Sequence, residues 1–535
     1  MRAKRWGLAW LGAATVAAAG LVTGPAAGVA AADTCQNWSG DQPANPAGTQ
    51  VVNTLTGIAA VAQCDVWAVG YTQDVNIDGS NRALIEHWTD GSWAVTPAPP
   101  LRSDARLFGV SAVSASNVWA VGYTTDATTD LAQTLILHWD GTSWTRQPSP
   151  TPAGDNGLLL SVDALSASDV WAVGQSGNGP GEVPMTLHWD GTGWTQRDVP
   201  APADGTHQVF STVSGASSSD VWALGSTFGS PSTAVLYHWD GTAWAPRDLP
   251  PVANDELSSI DAVAANNLWV SGSLTNNGVT RTLMMHFDGS TWNITGVPNP
   301  GGSGFDNGLG AIASSSPSDI WVAGNYQEGS GGVIVPFALH YDGSNWAVAN
   351  LPGPGGGQND SIGAVTVSSP GQAWVAGAFI DNSRTYAAPV PAVPDVTGLS
   401  PSNAATALQF YGLAGPQALH HTTNCPGSSA GQIVGSDLAP GTREPFGTAV
   451  GLTECDLATV PNVVGLDDGS AQSAITAAGL RVGSVSLTRS CTVPAGNVIS
   501  QNPRAGVHVA GNTAVSLTES AGKGTGISAN FCTAP

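Results

Sequence analysis

The phrase DVWAVG begins at Asp65 and returns six times, as NVWAVG, DVWAVG, DVWALG, NLWVSG, DIWVAG and QAWVAG. Its tryptophans are Trp67, Trp119, Trp171, Trp222, Trp269, Trp321 and Trp374, spaced at intervals of 47 to 53 residues. A second phrase keeps step with it: EHWTDGSW, LHWDGTSW, LHWDGTGW, YHWDGTAW, HFDGSTW and HYDGSNW. A chain that repeats at a near-constant pitch is an array, in which each unit buries its apolar surface against its neighbours.

One unit reveals the element type. Residues 108–115 (FGVSAVSA), Val118–Tyr123 and Thr134–Trp139 read as strands, and an Asp-Gly turn leads to a fourth that starts at Trp144. Leu135, Leu137 and Trp139 fall on one face and Ile136 and His138 on the other, so both faces are largely apolar and the sheet lies between two others. Four strands in a period near fifty residues make a β-propeller blade. The repeated tryptophan then fills the wedge between one blade and the next. Low charge (10%) with 67 Gly and 36 Pro suits short strands and turns.

Seven motif strands meet only six hairpin phrases. The seventh unit ends at RTYAAPV without an outer strand, while NWSGDQPANPAG (from Asn37) aligns with SWTRQPSPTPAG (from Ser143). A strand at Trp38 is therefore expected to complete the last blade and close the ring, which leaves no sheet edge exposed. This layout, over roughly residues 35–388, resembles kelch-like and tryptophan–aspartate-repeat propellers. The resemblance implies a seven-bladed β-propeller over 33–388 and leaves the activity open, because such folds host lectins, hydrolases, lyases, oxidases and scaffolds.

Beyond APVPAVPD the pitch changes. VPDVTGLSPSNAATALQFYGL (from Val393) and VPNVVGLDDGSAQSAITAAGL (from Val460) each read as a short strand followed by a capped helix. Ser400 caps the first, with Pro401 at its opening position and Gly412 as stop; Asp467 or Asp468 and Gly479 bound the second. The second segment continues through NVISQNPRAG to AVSLTES, and the whole resembles a PASTA domain; the first copy has IVGSDLAPGT in place of VISQNPRAG. The expected organisation is mainly β, with two small α+β PASTA-like domains at 393–455 and 460–519 and a tail at 520–535. The resemblance implies association with peptidoglycan or cell-wall fragments, set against a simple spacer role.

The first 32 residues carry Arg2, Lys4 and Arg5, an apolar run and Ala30–Ala32, the form of a cleaved secretory signal peptide. No later stretch is apolar enough to span a bilayer, so an exported protein is expected, extracellular or wall-associated. A net charge of −23 argues against nucleic acid as a partner. All six cysteines follow the signal, and their spacing fits no metal site. One pair per structural unit gives Cys35–Cys64, which ties the closing strand to blade one, then Cys425–Cys455 and Cys491–Cys532.

Chemistry-bearing groups are sparse. His87, His138, His188, His238, His286 and His340 recur once per blade, as structural residues do. In DVNIDGS, Asp74, Asn76, Asp78 and Ser80 offer alternating oxygens to a hard cation such as Ca²⁺, with a solvated turn as the alternative. No cofactor is required. Asp104, Asp155, Asp204, Asp255, Asp306 and Asp360 recur shortly before inner strands. They either cap loops or border a ligand site at the channel mouth, on the face where loop lengths vary. The expected function is a secreted, non-catalytic binding or scaffold protein whose propeller takes a glycan or a protein. The alternative is an extracellular enzyme acting on polysaccharide or peptidoglycan, with paired carboxylates on the variable face.

Overall fold

The structure is a computed structural model. It describes residues 42–522 except 47, 49–51, 74–79, 90, 102–103, 127, 152–153, 178–180, 203–205, 229–231, 253–254, 330, 352–358, 380–383, 392, 412, 423–424, 426–430, 441–443 and 445–446. The signal peptide, Trp38 and most of the C-terminal tail lie outside the described residues. Two compact units meet in sequence at Val393–Pro394.

In the first unit, the described residues form six four-stranded antiparallel sheets and one three-stranded sheet in chain order. Blade two is representative: an inner strand Ala105–Ser114, then Asn117–Thr125, Ala132–Trp139 and a short outer strand Trp144–Arg146. Each inner strand packs on the next, and the first, Val52–Ala62, packs on the strands of blade seven. The seven blades therefore form a closed ring, a β-propeller.

The motif explains itself in this geometry. Trp119 is 1% exposed. Its ring faces His138 of its own blade at 4.2 Å and meets Trp189 at 5.2 Å and Trp194 edge-on at 5.4 Å, both in the next blade. Trp67 repeats this against Trp139 and Trp144, Trp171 against Trp239 and Trp244, and Trp269 against Tyr341 and Trp346. Each such contact adds about 0.5–1.5 kcal/mol beyond area burial. The motif glycine has its own reason. Gly122 lies opposite a bulge between Leu107 and Gly109, and a methyl group on it would run into the Arg106 carbonyl.

The inner-strand residue opposite the motif tryptophan is a second tie between blades. Ser111, Asp163, Ser214 and Thr366 stand opposite Trp119, Trp171, Trp222 and Trp374. Their side chains accept backbone N–H groups of the following blade: Ala164 (3.0 Å), Gly215 (2.8 Å), Ala262 (3.0 Å) and Ala60 (3.2 Å). The last of these joins blade seven to blade one.

Ring closure at the outer edge follows the alignment of the two proline-rich phrases. In blade two, Thr134 Oγ1 bonds the Pro150 carbonyl and the hydroxyls of Ser149 and Thr151. In blade seven, Thr385 Oγ1 donates to the carbonyls of Pro43 and Ala44 at 2.9 and 3.0 Å and lies 3.5 Å from Asn45 Oδ1. The same three places of the phrase are used, so the N-terminal segment runs along blade seven where blade two runs along itself.

In the second unit, helix Pro401–Phe410 accompanies a sheet in which Leu419–Thr422 is parallel and Ile433–Ser436 antiparallel to a shared strand, Leu452–Cys455. Helix Asp468–Ala477 accompanies one in which Arg481–Thr488 is parallel and Val498–Asn502 antiparallel to Ala514–Ser520. The two copies thus share one topology. Ser400 Oγ accepts from Asn403 N, and Asp467 caps the second helix by accepting from Ser470 N. Gly479 has φ +72° at the helix stop, whereas Gly412 lies outside the described residues.

Cys425 and Cys455 are disulfide-bonded. Cys64 and Cys491 each take part in a separate disulfide, and the remaining cysteines, Cys35 and Cys532, lie outside the described residues.

Candidate functional site

The candidate site is the propeller rim that carries the variable loops. One bond pattern shows that the inner-strand entry loops and the loops between second and third strands share this rim. Asp104 Oδ1, before the inner strand of blade two, accepts the backbone N–H of Asn81 at 2.9 Å and its amide at 2.6 Å, at the start of the third strand of blade one. Its other oxygen accepts from Tyr123 and Thr125. Burial by itself would raise the pKa of Asp104; the bonds from Asn81, Thr125 and Tyr123 outweigh it and hold the carboxyl below its usual value.

The same brace recurs elsewhere with a different residue. Asn156 Oδ1 takes Ala132 N at 2.8 Å, Asp306 Oδ1 takes Thr280 N at 2.8 Å, and Asn359 Oδ1 takes Ile334 N at 2.9 Å. Asp155 stands one residue earlier and accepts from Asn156 N. Asp360 stands one residue later and is buried inside its strand. Asp204 lies outside the described residues, as does the side chain of Asp255, which opens the inner strand Asp255–Ala264. The recurring carboxylates therefore occupy three structural places. In blades two, three, six and seven the shared element is an Asp or Asn directly before the inner strand, whereas blade four has His207 there. Reading both residue types together at that place would have found it.

A cleft of ≈ 350 Å³ opens on the same rim at blade four, between the start of its third strand and the following proline-rich loop. Gln208, Thr233, Tyr237, Arg247 and Asp248 give it polar groups, and Val252 belongs to its apolar wall. The Tyr237 hydroxyl donates to Gln208 Oε1 at 3.0 Å, which holds the floor in place.

The six recurring histidines take no part in this rim. Each lies beside its motif tryptophan and bonds the first residue of the motif through Nε2. The partners are Asp65, Asn117, Asp169, Asp220, Asn267 and Asp319, at 2.7 to 3.0 Å. In blades three and four, Arg197 and Arg247 lie 3.3 Å from Nδ1 of His188 and His238. A guanidinium only donates, so Nδ1 is the acceptor and Nε2–H donates to the aspartate. Each imidazole is thereby held between its motif tryptophan and the first residue of the motif.

Of the proposed calcium ligands, Asp74, Asn76 and Asp78 lie outside the described residues, and Ser80 is half-buried. Among the described residues, no group of three or more His, Cys, Asp or Glu is arranged to hold a metal ion.

The fold and rim define a class: a β-propeller followed by small PASTA-like domains. Residues 458–521 match the PASTA domain model. No curated protein matches the chain. Among solved structures, YCF48 bound to D1 peptide is similar at 17% identity, with a TM-score of 0.40, covering 63% of this chain and 92% of that one. A fucose-binding six-bladed propeller lectin of Aleuria aurantia is similar at 14% identity and a TM-score of 0.36, covering 56% and 96%. The extracellular region of the Ser/Thr kinase PrkC from Staphylococcus aureus is similar at 21% identity and a TM-score of 0.15, covering 25% and 48%. No helix among the described residues is long and apolar enough to cross a membrane.

Proposed function

We propose that this protein is an exported, wall-associated binding protein. Its PASTA-like pair takes peptidoglycan or its fragments, and its propeller takes a glycan or a protein at the loop rim. The observation that carries the wall assignment is the PASTA match over residues 458–521. The Cys425–Cys455 bond supports an oxidising, extracellular address. A rigid ring with variation confined to one rim supports ligand contact there, with exposed Asp306 and the blade-four cleft as the first places to test.

The test is co-sedimentation with purified sacculi. The mature chain is expected to pellet, and a form ending at residue 390 is expected to stay in solution with its near-UV circular dichroism retained. Equal pelleting of both forms overturns the wall assignment. For the rim, Asp306→Asn keeps an acceptor for Thr280 N but removes the charge, as Asn156 and Asn359 do naturally. In a glycan-array screen, a ligand bound by the parent and lost by this variant, at unchanged melting temperature, supports carboxylate recognition. Equal binding removes Asp306 from the site. Calcium at the Asp74–Ser80 loop belongs to the same reading, and isothermal titration of the chelated protein tests it.

A further inference from the structure

The third strand of blade one, Asn81–Thr89, departs from its counterparts at one place. Glu86 stands opposite Ala68 in the second strand. At that place the other four-stranded blades carry Leu137, Leu187, Tyr237, Met285 and Leu339. Like these residues Glu86 is buried, at 0% exposure. A carboxyl group in an apolar slot costs free energy unless donors surround it.

The donors are few. Glu86 Oε2 accepts the backbone N–H of Ala44 at 3.1 Å, and Oε1 is buried with no partner among the described residues. Ala44 lies in the N-terminal segment that follows blade seven through Thr385 and through Gln42 Oε1, which accepts Ala387 N at 3.0 Å. Glu86 thus sits at the seam where the ring closes.

Among the described residues, it has no ion-pair partner. Glu86 shares its face with Leu84 and Trp88, which cluster with Trp374, Val375 and Tyr386 of blade seven. The ionisable groups on the blade-seven strands are Asp360, Arg384 and Tyr386; on its own strand Arg82 lies four residues away on the same face and is exposed, while Asp65 is engaged with His87 and Tyr71 faces Arg106 of blade two. Residues 42–45 carry none. Burial pushes the Glu86 carboxyl up to about 7, with the bond from Ala44 working against it.

We propose that Glu86 is a proton-operated latch on the ring seam: as a neutral acid it holds residues 42–45 against blades one and seven, and its ionisation loosens them. Ionisation strengthens the single Ala44 bond but places a charge where Oε1 has no donor, and the desolvation cost is the larger effect. The folded-state value lies above the unfolded one, so the stabilising contribution is complete below the ordinary glutamate pKa. It is lost as pH rises through about 7.

Amide hydrogen exchange on the full chain tests this, at about pH 5.5 and about pH 8.5 with intrinsic rates corrected. In the parent, protection of the peptide around residues 42–48 should fall about ten-fold at the higher pH while blade-two peptides stay unchanged. Glu86→Gln should abolish that difference. Glu86→Leu, the residue of blades two, three and six at this place, serves as the second variant. Parent protection that does not change with pH, an equal loss in every blade, or the same loss in both variants overturns the latch. If neither variant folds, a parental loss confined to the seam supports it.

Discussion

Trp67 lies flat on His87, ring centroids 3.6 Å apart at 10°, while His87 Nε2 bonds Asp65 Oδ1 at 2.7 Å. The first and third residues of the motif are thereby joined through a histidine on the adjoining strand. This is why Asp or Asn opens the phrase in six of its seven copies. His87→Ala removes the stack and leaves Asp65 without its donor, so a loss of about 1–3 kcal/mol is expected in urea unfolding. Asp65→Asn should cost under about 1 kcal/mol, because the neutral form keeps an acceptor. A larger loss in the asparagine variant than in the alanine one would refute the arrangement.

His138 and His286 pair with asparagines, Asn117 and Asn267. Burial pushes both imidazoles below the usual histidine value, with Asp140 and Asp288 pulling the other way. The unfolded chain takes the proton first, so this contribution is intact above the ordinary histidine pKa and is lost as pH falls below it. Asn117→Asp should raise the His138 midpoint by about one pH unit in an NMR titration. An unchanged midpoint would show that the Asn117 contact does not control the ring.

Asp163 accepts Gly215 N from a fully buried position, where Ser111 and Ser214 do the same work in neighbouring blades. Burial raises its pKa to about 8, Gly215 opposing, with Asp261 and Asp169 adding to the rise. Stability tied to Asp163 is therefore complete at acid pH and lost as pH rises towards 8. Asp163→Ser should stabilise the propeller at alkaline pH by about 1–3 kcal/mol and have little effect at mildly acid pH. Thermal melts across that range give the answer; parallel curves would rule the assignment out.

Gly122→Ala sets a methyl group against the Arg106 carbonyl, a backbone atom that cannot turn aside. A loss of about 1–3 kcal/mol or more is expected. The half-buried Gly193, whose added methyl meets nothing within 4 Å, is the control and should tolerate alanine. Equal midpoints in urea would mean that the bulge relaxes freely.

Peptide mapping of the non-reduced protein is expected to return Cys35–Cys64 and Cys491–Cys532 beside Cys425–Cys455. A crossed pairing between propeller and PASTA-like domains would contradict one bond per structural unit.

Much of this architecture was legible because its contacts repeat. Trp119 meets Trp189 and Trp194 through the geometry that brings Trp67 to Trp139 and Trp144, so one period carries the same instruction several times over. The proline-rich phrase at residues 37–48 was readable for the same reason, and Thr385 engages it as Thr134 engages its twin. The brace before the inner strands of blades two, three, six and seven was only half legible. Aspartate alone picks out Asp104 and Asp306 correctly, but the geometry accepts asparagine equally, and Asn156 and Asn359 do that work beside Asp155 and Asp360.

The sequence by itself determined the strand pattern, the blade number and the aromatic wedge, because these depend on spacing and residue type within and between identical units. Only the tertiary structure decided the fate of Glu86 and Asp163. Both look like ordinary polar residues of a solvated strand. Closure of the ring sets Glu86 beside Ala44, and blade stacking sets Asp163 beside Gly215, so that water is excluded from each. A carboxyl group's behaviour is set by what desolvates it, and here those atoms come from distant parts of the chain or from the next blade.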